Sequence, residues 1–200
     1  MCKGTTYFLL MQILIANYLF GWSTSATNFG VSTSKDDDPY SVFFVDWGMN
    51  KIGADAPNTW RTLSYGEWYY LRYNRTNAND LVGVAQVNGL IFLPDNWTCP
   101  AGVTFKSDFH SNYGVDYYAA YQTFTAAEWS KLEAAGAVFR PAAGAREGST
   151  VLTVQSGGVY WSATEDNRGY ALYLYFRSDE AGMLNYYRYG GQSVRLVKDL

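Results

Sequence analysis

The stretch "YALYLYFR" (170–177) alternates aliphatic side chains with large, half-polar ones. A period of two places Ala171, Tyr173, Tyr175 and Arg177 on one side of an extended strand. Tyr170, Leu172, Leu174 and Phe176 then fall on the other. The leucine and phenylalanine side has the chemistry of a core. The tyrosine and arginine side has that of a recognition surface: rigid amphipathic rings give contact area at low entropic cost, and arginine adds charge and stacking. A polar turn precedes the strand at Glu165, Asp166, Asn167 and Arg168. Asp179 follows it, and a second cluster comes at Asn185, Tyr186, Tyr187 and Tyr189. These residues form the candidate ligand-binding set, expected to stand together on one surface. The alternative is a half-exposed sheet whose tyrosines pack on one another.

Catalytic hardware is harder to find. His110 is the only histidine and sits in a polar stretch. No Ser/His/Asp or Cys/His set and no glycine-rich phosphate loop stands out. Cys2 and Cys99 provide neither a disulfide framework nor metal-ligand spacing, and Cys99 reads as a structural thiol. Asp36, Asp37 and Asp38 are adjacent, whereas calcium ligands usually alternate so that their side chains converge. Glu165 and Asp166 are also adjacent, and neighbouring carboxylates on a turn point apart, unlike a glycosidase pair. The expectation is a protein that is not an enzyme and has no cofactor, with calcium left open. "NRT" (74–76) and "NWT" (96–98) match glycan-acceptor patterns without deciding anything.

Composition sets the frame for these groups. Two hundred residues, 48% hydrophobic and 16% charged, suit one globular domain over 1–200. A net charge of −3 argues against nucleic-acid binding. Eighteen tyrosines are the outlier, since a phenolic hydroxyl needs a partner when buried. The apolar run from Tyr7 to Leu14 reads either as signal-like or as a buried first strand continuing through Tyr18, Leu19 and Phe20. It is too short and polar to span a bilayer. Residues 1–16 are expected to be disordered, signal-like or a shortened start.

Two segments share one pattern. "TLSYGEWYYL" (62–71) and "TFTAAEWSKL" (123–132) both read T-[L/F]-[S/T]-x-x-E-W-x-x-L. Ser64 and Thr125 can cap a helix, with Glu67 and Glu128 completing capping boxes. Helices are predicted over about 64–74 and 125–135, the second stopped by Gly136. Strands are predicted at Leu90–Leu93, in "AGAVFR", on both sides of the Glu165–Gly169 turn, and at "SVRLV". Helices come early and strands late, without βαβ alternation, so the fold class is α+β: two short helices on mainly antiparallel sheets, with many loops.

"WRTLSYGEWYYL", "GLIFLPDNW", "AGAVFRPAAGAREG", "GVYWSATED" and "GQSVRLV" occur in this order. Together they resemble the Fibrobacter-type major paralogous domain proteins over roughly residues 18–197. The resemblance implies a secreted or cell-surface protein of the kind common in gut Bacteroidetes, or a phage-borne one. It also implies a C-type-lectin-like fold related to the formylglycine-generating-enzyme domain. The cysteine pair of those enzymes is missing from the late strands, so their oxidase chemistry is not expected. The Glu-Pro-Asn sugar-binding tripeptide is also absent, which argues against a calcium-bridged sugar. The chain further resembles the variable proteins of diversity-generating retroelements, whose changes fall between a "YWSST" strand and an "SVRLV" ending. That likeness implies a variable region over 160–192. Its expected partner is a protein or glycan ligand on another cell or surface.

Overall fold

The computed structural model describes residues 20–21, 44–75, 80–106, 122–166 and 169–199. Cys2, the aspartates 36–38, His110, Asn167, Arg168 and most of the predicted first strand lie outside them.

The two repeated segments fold as their spacing demands. Helix α1, Tyr65–Tyr69, starts at a Ser64 cap whose side chain accepts from the Glu67 amide, while Glu67 reaches back to the Ser64 amide. It runs on as a π-helical turn, Tyr70–Asn74. Helix α2, Ala126–Ala134, repeats the box with Thr125 and Glu128. Gly136, at φ 90°, then adopts the left-handed conformation that ends a helix cheaply. Leu63 shares a core cluster with Trp68, and Phe124 one with Trp129 packed against it.

Eleven strands are described: β1 Arg61–Thr62, β2 Asp80–Val84, β3 Val87–Phe92, β4 Thr123–Phe124, β5 Val138–Pro141, β6 Ala145–Glu147, β7 Thr150–Leu152, β8 Gly157–Glu165, β9 Tyr170–Arg177, β10 Glu180–Tyr187 and β11 Leu196–Val197. They form a four-stranded sheet ordered β4-β2-β3-β5, a three-stranded sheet ordered β10-β9-β8, and the pairs β1-β11 and β6-β7. The β2–β4 pairing is parallel and the other strand pairings are antiparallel. The protein is thus a loop-rich α+β fold, mostly sheet with two short helices. Among the described residues no helix is long and apolar enough to cross a membrane.

Both larger sheets are buried on two faces. On β3, Leu90 and Phe92 enter the main core with Trp68 and Leu71 of α1, while Ile91 and then Leu93 turn to the α2 side. This explains why "LIFL" is an unbroken apolar run. The three-stranded sheet behaves alike. Leu174 and Phe176 of β9, Tyr160 of β8 and Ala181 of β10 face the main core. The opposite face carries a smaller core of Phe20, Trp161, Ala171 and Tyr173, with Phe44, Tyr175 and Tyr186 against it.

Several carboxylates tie the surface together and titrate low. Hydrogen bonds from Trp60 and Lys198 hold Asp55 below the ordinary range. Those from Thr125 hold Glu128 down, and those from Arg61 hold Asp199 down. At Glu67 burial pushes upward, but Arg61 and Ser64 prevail and the net direction is down. Folded pKa values below unfolded ones mean that the unfolded chain takes up protons first. The contribution is complete above the ordinary carboxylate value of about 4 and is lost as pH falls through it toward the depressed folded values. Equilibrium denaturation is therefore expected to give a constant midpoint from neutrality to about pH 5 and a falling one below about pH 4. A midpoint unchanged down to pH 3 would contradict this.

Candidate ligand-binding surface

Strands β9 and β10 form a hairpin around the two-residue turn Ser178–Asp179, with Arg177 paired to Glu180 at the turn and Tyr170 to Tyr187 at the open end. Eight residues of strand separate the two ends by about 23 Å. That geometry divides the candidate set.

At the open end the rings gather. Tyr170 lies 4.5 Å from Tyr187 between centroids. Tyr187 stacks on Tyr189 at 5.0 Å with planes 9° apart. Tyr186 meets both edge-on, at 5.9 and 6.3 Å. Tyr187 is 43% exposed, and Tyr170, Tyr186 and Tyr189 are half-buried. Gly190 is needed here, because a Cβ on it would come within 2.6 Å of the Tyr186 ring.

Polar groups border the stack. The register of β8 on β9 slips between Trp161 and Glu165, an irregularity of the kind that re-aims side chains at a strand end. Glu165 then accepts from the Phe44 amide at 3.0 Å and pairs with Arg188 at 3.3 Å. Asp166 accepts from the Asn185 side chain at 3.0 Å. The Tyr186 hydroxyl donates to Glu147 of β6 at 2.5 Å, a charge-assisted bond. Burial, and then this bond to Glu147, pushes the Tyr186 phenol well up. Tyr170 is raised chiefly by its hydrogen bond to Tyr187, with the Asp166 charge adding. Arg188 is itself buried, its guanidinium over the Phe20 ring.

The other members stand elsewhere. Tyr173, expected to face solvent, is 9% exposed and sits edge-on to Trp161 at 5.9 Å. The reason is two-sided burial: Phe20 and Phe44 cover the face that composition marked as outward. Burial accordingly raises its phenol pKa. Tyr175 is half-buried, its ring lying across Gly182 of β10. Arg177 is exposed at the far turn, bonded to Asp179 at 2.8 Å and Glu180 at 3.0 Å. Asp179 is buried there. The single surface expected from sequence is thus two patches and a core residue. Glu165, Asp166, Asn185, Tyr186, Tyr187 and Tyr189 come together; Tyr173 and Tyr175 meet them only in the core cluster against which Tyr186 packs, and Arg177 and Asp179 stand at the far turn.

Comparison with protein-family models, curated proteins and solved structures finds no match.

Two members of the open-end patch were not singled out from sequence. Tyr170 was assigned to the apolar side of its strand. Counting back from a two-residue turn at 178–179 pairs it with Tyr187, so the signal was present. Glu147 arrives from β6 across a long sequence separation, and no local pattern announces it. A second exposed row also went unread: Tyr65, Tyr69 and Tyr73 lie at helical spacing along α1 and its π-turn, with centroids 5.9 and 4.8 Å apart. Tyr69 and Tyr73 are 42% and 47% exposed. The Tyr65 amide donates to Thr164, next to Glu165. Arg72 donates to the Ala181 carbonyl toward the other end. The row therefore runs alongside the same sheet.

Among the described residues no cluster of three or more His, Cys, Asp or Glu is arranged to hold a metal. Cys99 is a free thiol within 3.3 Å of the Val103 carbonyl.

Proposed function

We propose that the protein is a non-catalytic ligand-binding domain that presents the Tyr170, Tyr186, Tyr187 and Tyr189 platform to a protein or glycan on another cell or surface. The observation that carries this is the stack itself. Tyr187 is in contact with Tyr170, Tyr186 and Tyr189 and is 43% exposed, at the end of a sheet whose two core clusters draw on only one of these four rings, Tyr186, at the edge of the smaller one. Rigid rings already in contact lose little freedom when a partner covers them.

A C-type-lectin-like architecture and kinship with the Fibrobacter-type major paralogous domain proteins belong to the same proposal. The ordered sequence motifs and the two capped helices on mainly antiparallel sheets support both. Placement outside the cell is part of the same proposal. Diversification by a retroelement would act on the 160–192 region. The platform's tyrosines would then be the changeable positions and Tyr173 a constrained one.

A second reading, a structural domain of the cell envelope, is favoured by Tyr173 and by Tyr175, which pack inward rather than outward. The two readings separate in a screen of arrayed glycans and surface proteins, run with wild type and Tyr187→Ser. The expected result is a wild-type ligand whose affinity falls at least about tenfold, the equivalent of 1.4 kcal/mol, in a variant that melts within a few degrees. A ligand bound equally well by both proteins would remove the platform from the account.

A further inference from the structure

The charge around the platform points to the kind of partner. Among the described residues the carboxylates bordering the four rings are Glu147, Glu165 and Asp166. Arg188 pairs with Glu165 and is 6% exposed, turned inward onto Glu165 and Phe20, while half-buried Arg146, beside Glu147, donates to the Gly148 carbonyl. Glu147 and Asp166 hold only uncharged donors in the hydrogen bonds described here, a phenol and a carboxamide. The faces of stacked tyrosines carry negative quadrupole potential, and nearby carboxylates deepen it. Both features repel an anion and attract a cation. A guanidinium is the best match, since it can lie flat on a ring while its edge donates to a carboxylate.

We infer that the platform docks an arginine-bearing, basic segment of a partner protein, its guanidinium seated on the Tyr187 stack and directed at Asp166 and Glu147. This rests on the proposed function above and narrows it from any protein or glycan to a cationic peptide surface. Uncharged glycans would stack on the same rings and donate hydroxyl hydrogen bonds to the carboxylates but gain no charge attraction, and acidic ones would be repelled.

The test uses the full chain and fluorescence polarisation. The probes are a labelled peptide of six arginines spaced by glycines, its six-glutamate counterpart, and labelled cellohexaose. The proteins are wild type, Tyr187→Ser and the double variant Glu147→Gln/Asp166→Asn, whose amides keep an acceptor at each position. The arginine peptide is expected to bind wild type in preference to the other two probes. Its affinity should drop about tenfold in each variant, and wild-type binding should weaken as salt rises from 0.05 to 0.5 M. All three proteins should melt within a few degrees of one another. Preference for cellohexaose or the glutamate peptide overturns the inference. So does arginine-peptide binding that the amide variant leaves unchanged. If cellohexaose binding falls with Tyr187→Ser alone, the platform stands as a binding site and only its charge preference is wrong. If no probe's binding responds to Tyr187→Ser, the site fails as well.

Discussion

Tyr173→Ser is expected to cost about 3 kcal/mol of folding free energy, close to the usual loss on truncating a buried aromatic, and Tyr187→Ser less than about 1 kcal/mol. The two rings lie on neighbouring strands of one hairpin and are chemically identical. What separates them is cover. Tyr173 is 9% exposed, and its ring abuts Trp161 in a cluster closed by Phe20 and Ala171. Serine there leaves a cavity that a close-packed core does not collapse to fill. Tyr187 gives up contacts with Tyr170, Tyr186 and Tyr189, but solvent already reaches it. In a domain of this size about 1 kcal/mol moves the melting temperature by roughly 2–4 °C. Thermal unfolding should therefore show a drop of about 6–12 °C for Tyr173→Ser and a few degrees or less for Tyr187→Ser. Equal shifts would mean that burial does not distinguish the rings, and the platform would lose its claim to be separate from the scaffold.

That contrast also shows where composition alone misleads. The capping boxes were legible because a cap is local: Ser64 with Glu67, and Thr125 with Glu128, satisfy backbone donors within one turn. The apolar run at Leu90–Leu93 was legible because a strand buried on both faces needs no polar alternation. In β9 the same two-sided burial is written with tyrosine. Tyrosine is amphipathic, so its presence does not say which face is wet. The answer lies in Phe20 and Phe44, more than a hundred positions away, and no pattern inside β9 encodes them. Strand β10 was missed for a related reason. Its run "EAGMLNYY" has only Ala181 and Met183 facing the main core, and its stability comes from pairing with β9 rather than from its own alternation.

The largest stability effect is expected at Trp68. Trp68→Ala should cost about 4–5 kcal/mol, lowering the melting temperature by roughly 8–20 °C. The side chain is fully buried, and its indole N–H donates to the Trp161 carbonyl at 3.2 Å. Its ring touches Phe92 and Tyr160, so it joins α1 to both sheets. It also covers a charge. The Arg140 guanidinium lies 5.7 Å from the Trp68 ring and is 1% exposed. Arg140 donates to the Phe139 carbonyl, but its Nε finds no hydrogen-bond partner among the described residues. Burial, and then the charge of Arg195, holds its pKa well below the usual guanidinium value. A buried cation with so little compensation is costly, and an apolar side chain of similar volume is often as stable or more so. Arg140→Met alone is therefore expected to leave stability unchanged or raise it by about 1 kcal/mol. In the Trp68→Ala background it should recover more than it adds alone, because the ring face that offsets the charge is gone. Chemical denaturation of the four proteins in this double-mutant cycle measures the coupling directly. Strict additivity would mean that the indole and Arg140 do not support one another energetically, and a cost below about 2 kcal/mol for Trp68→Ala would mean that α1 is not the joint between the two sheets.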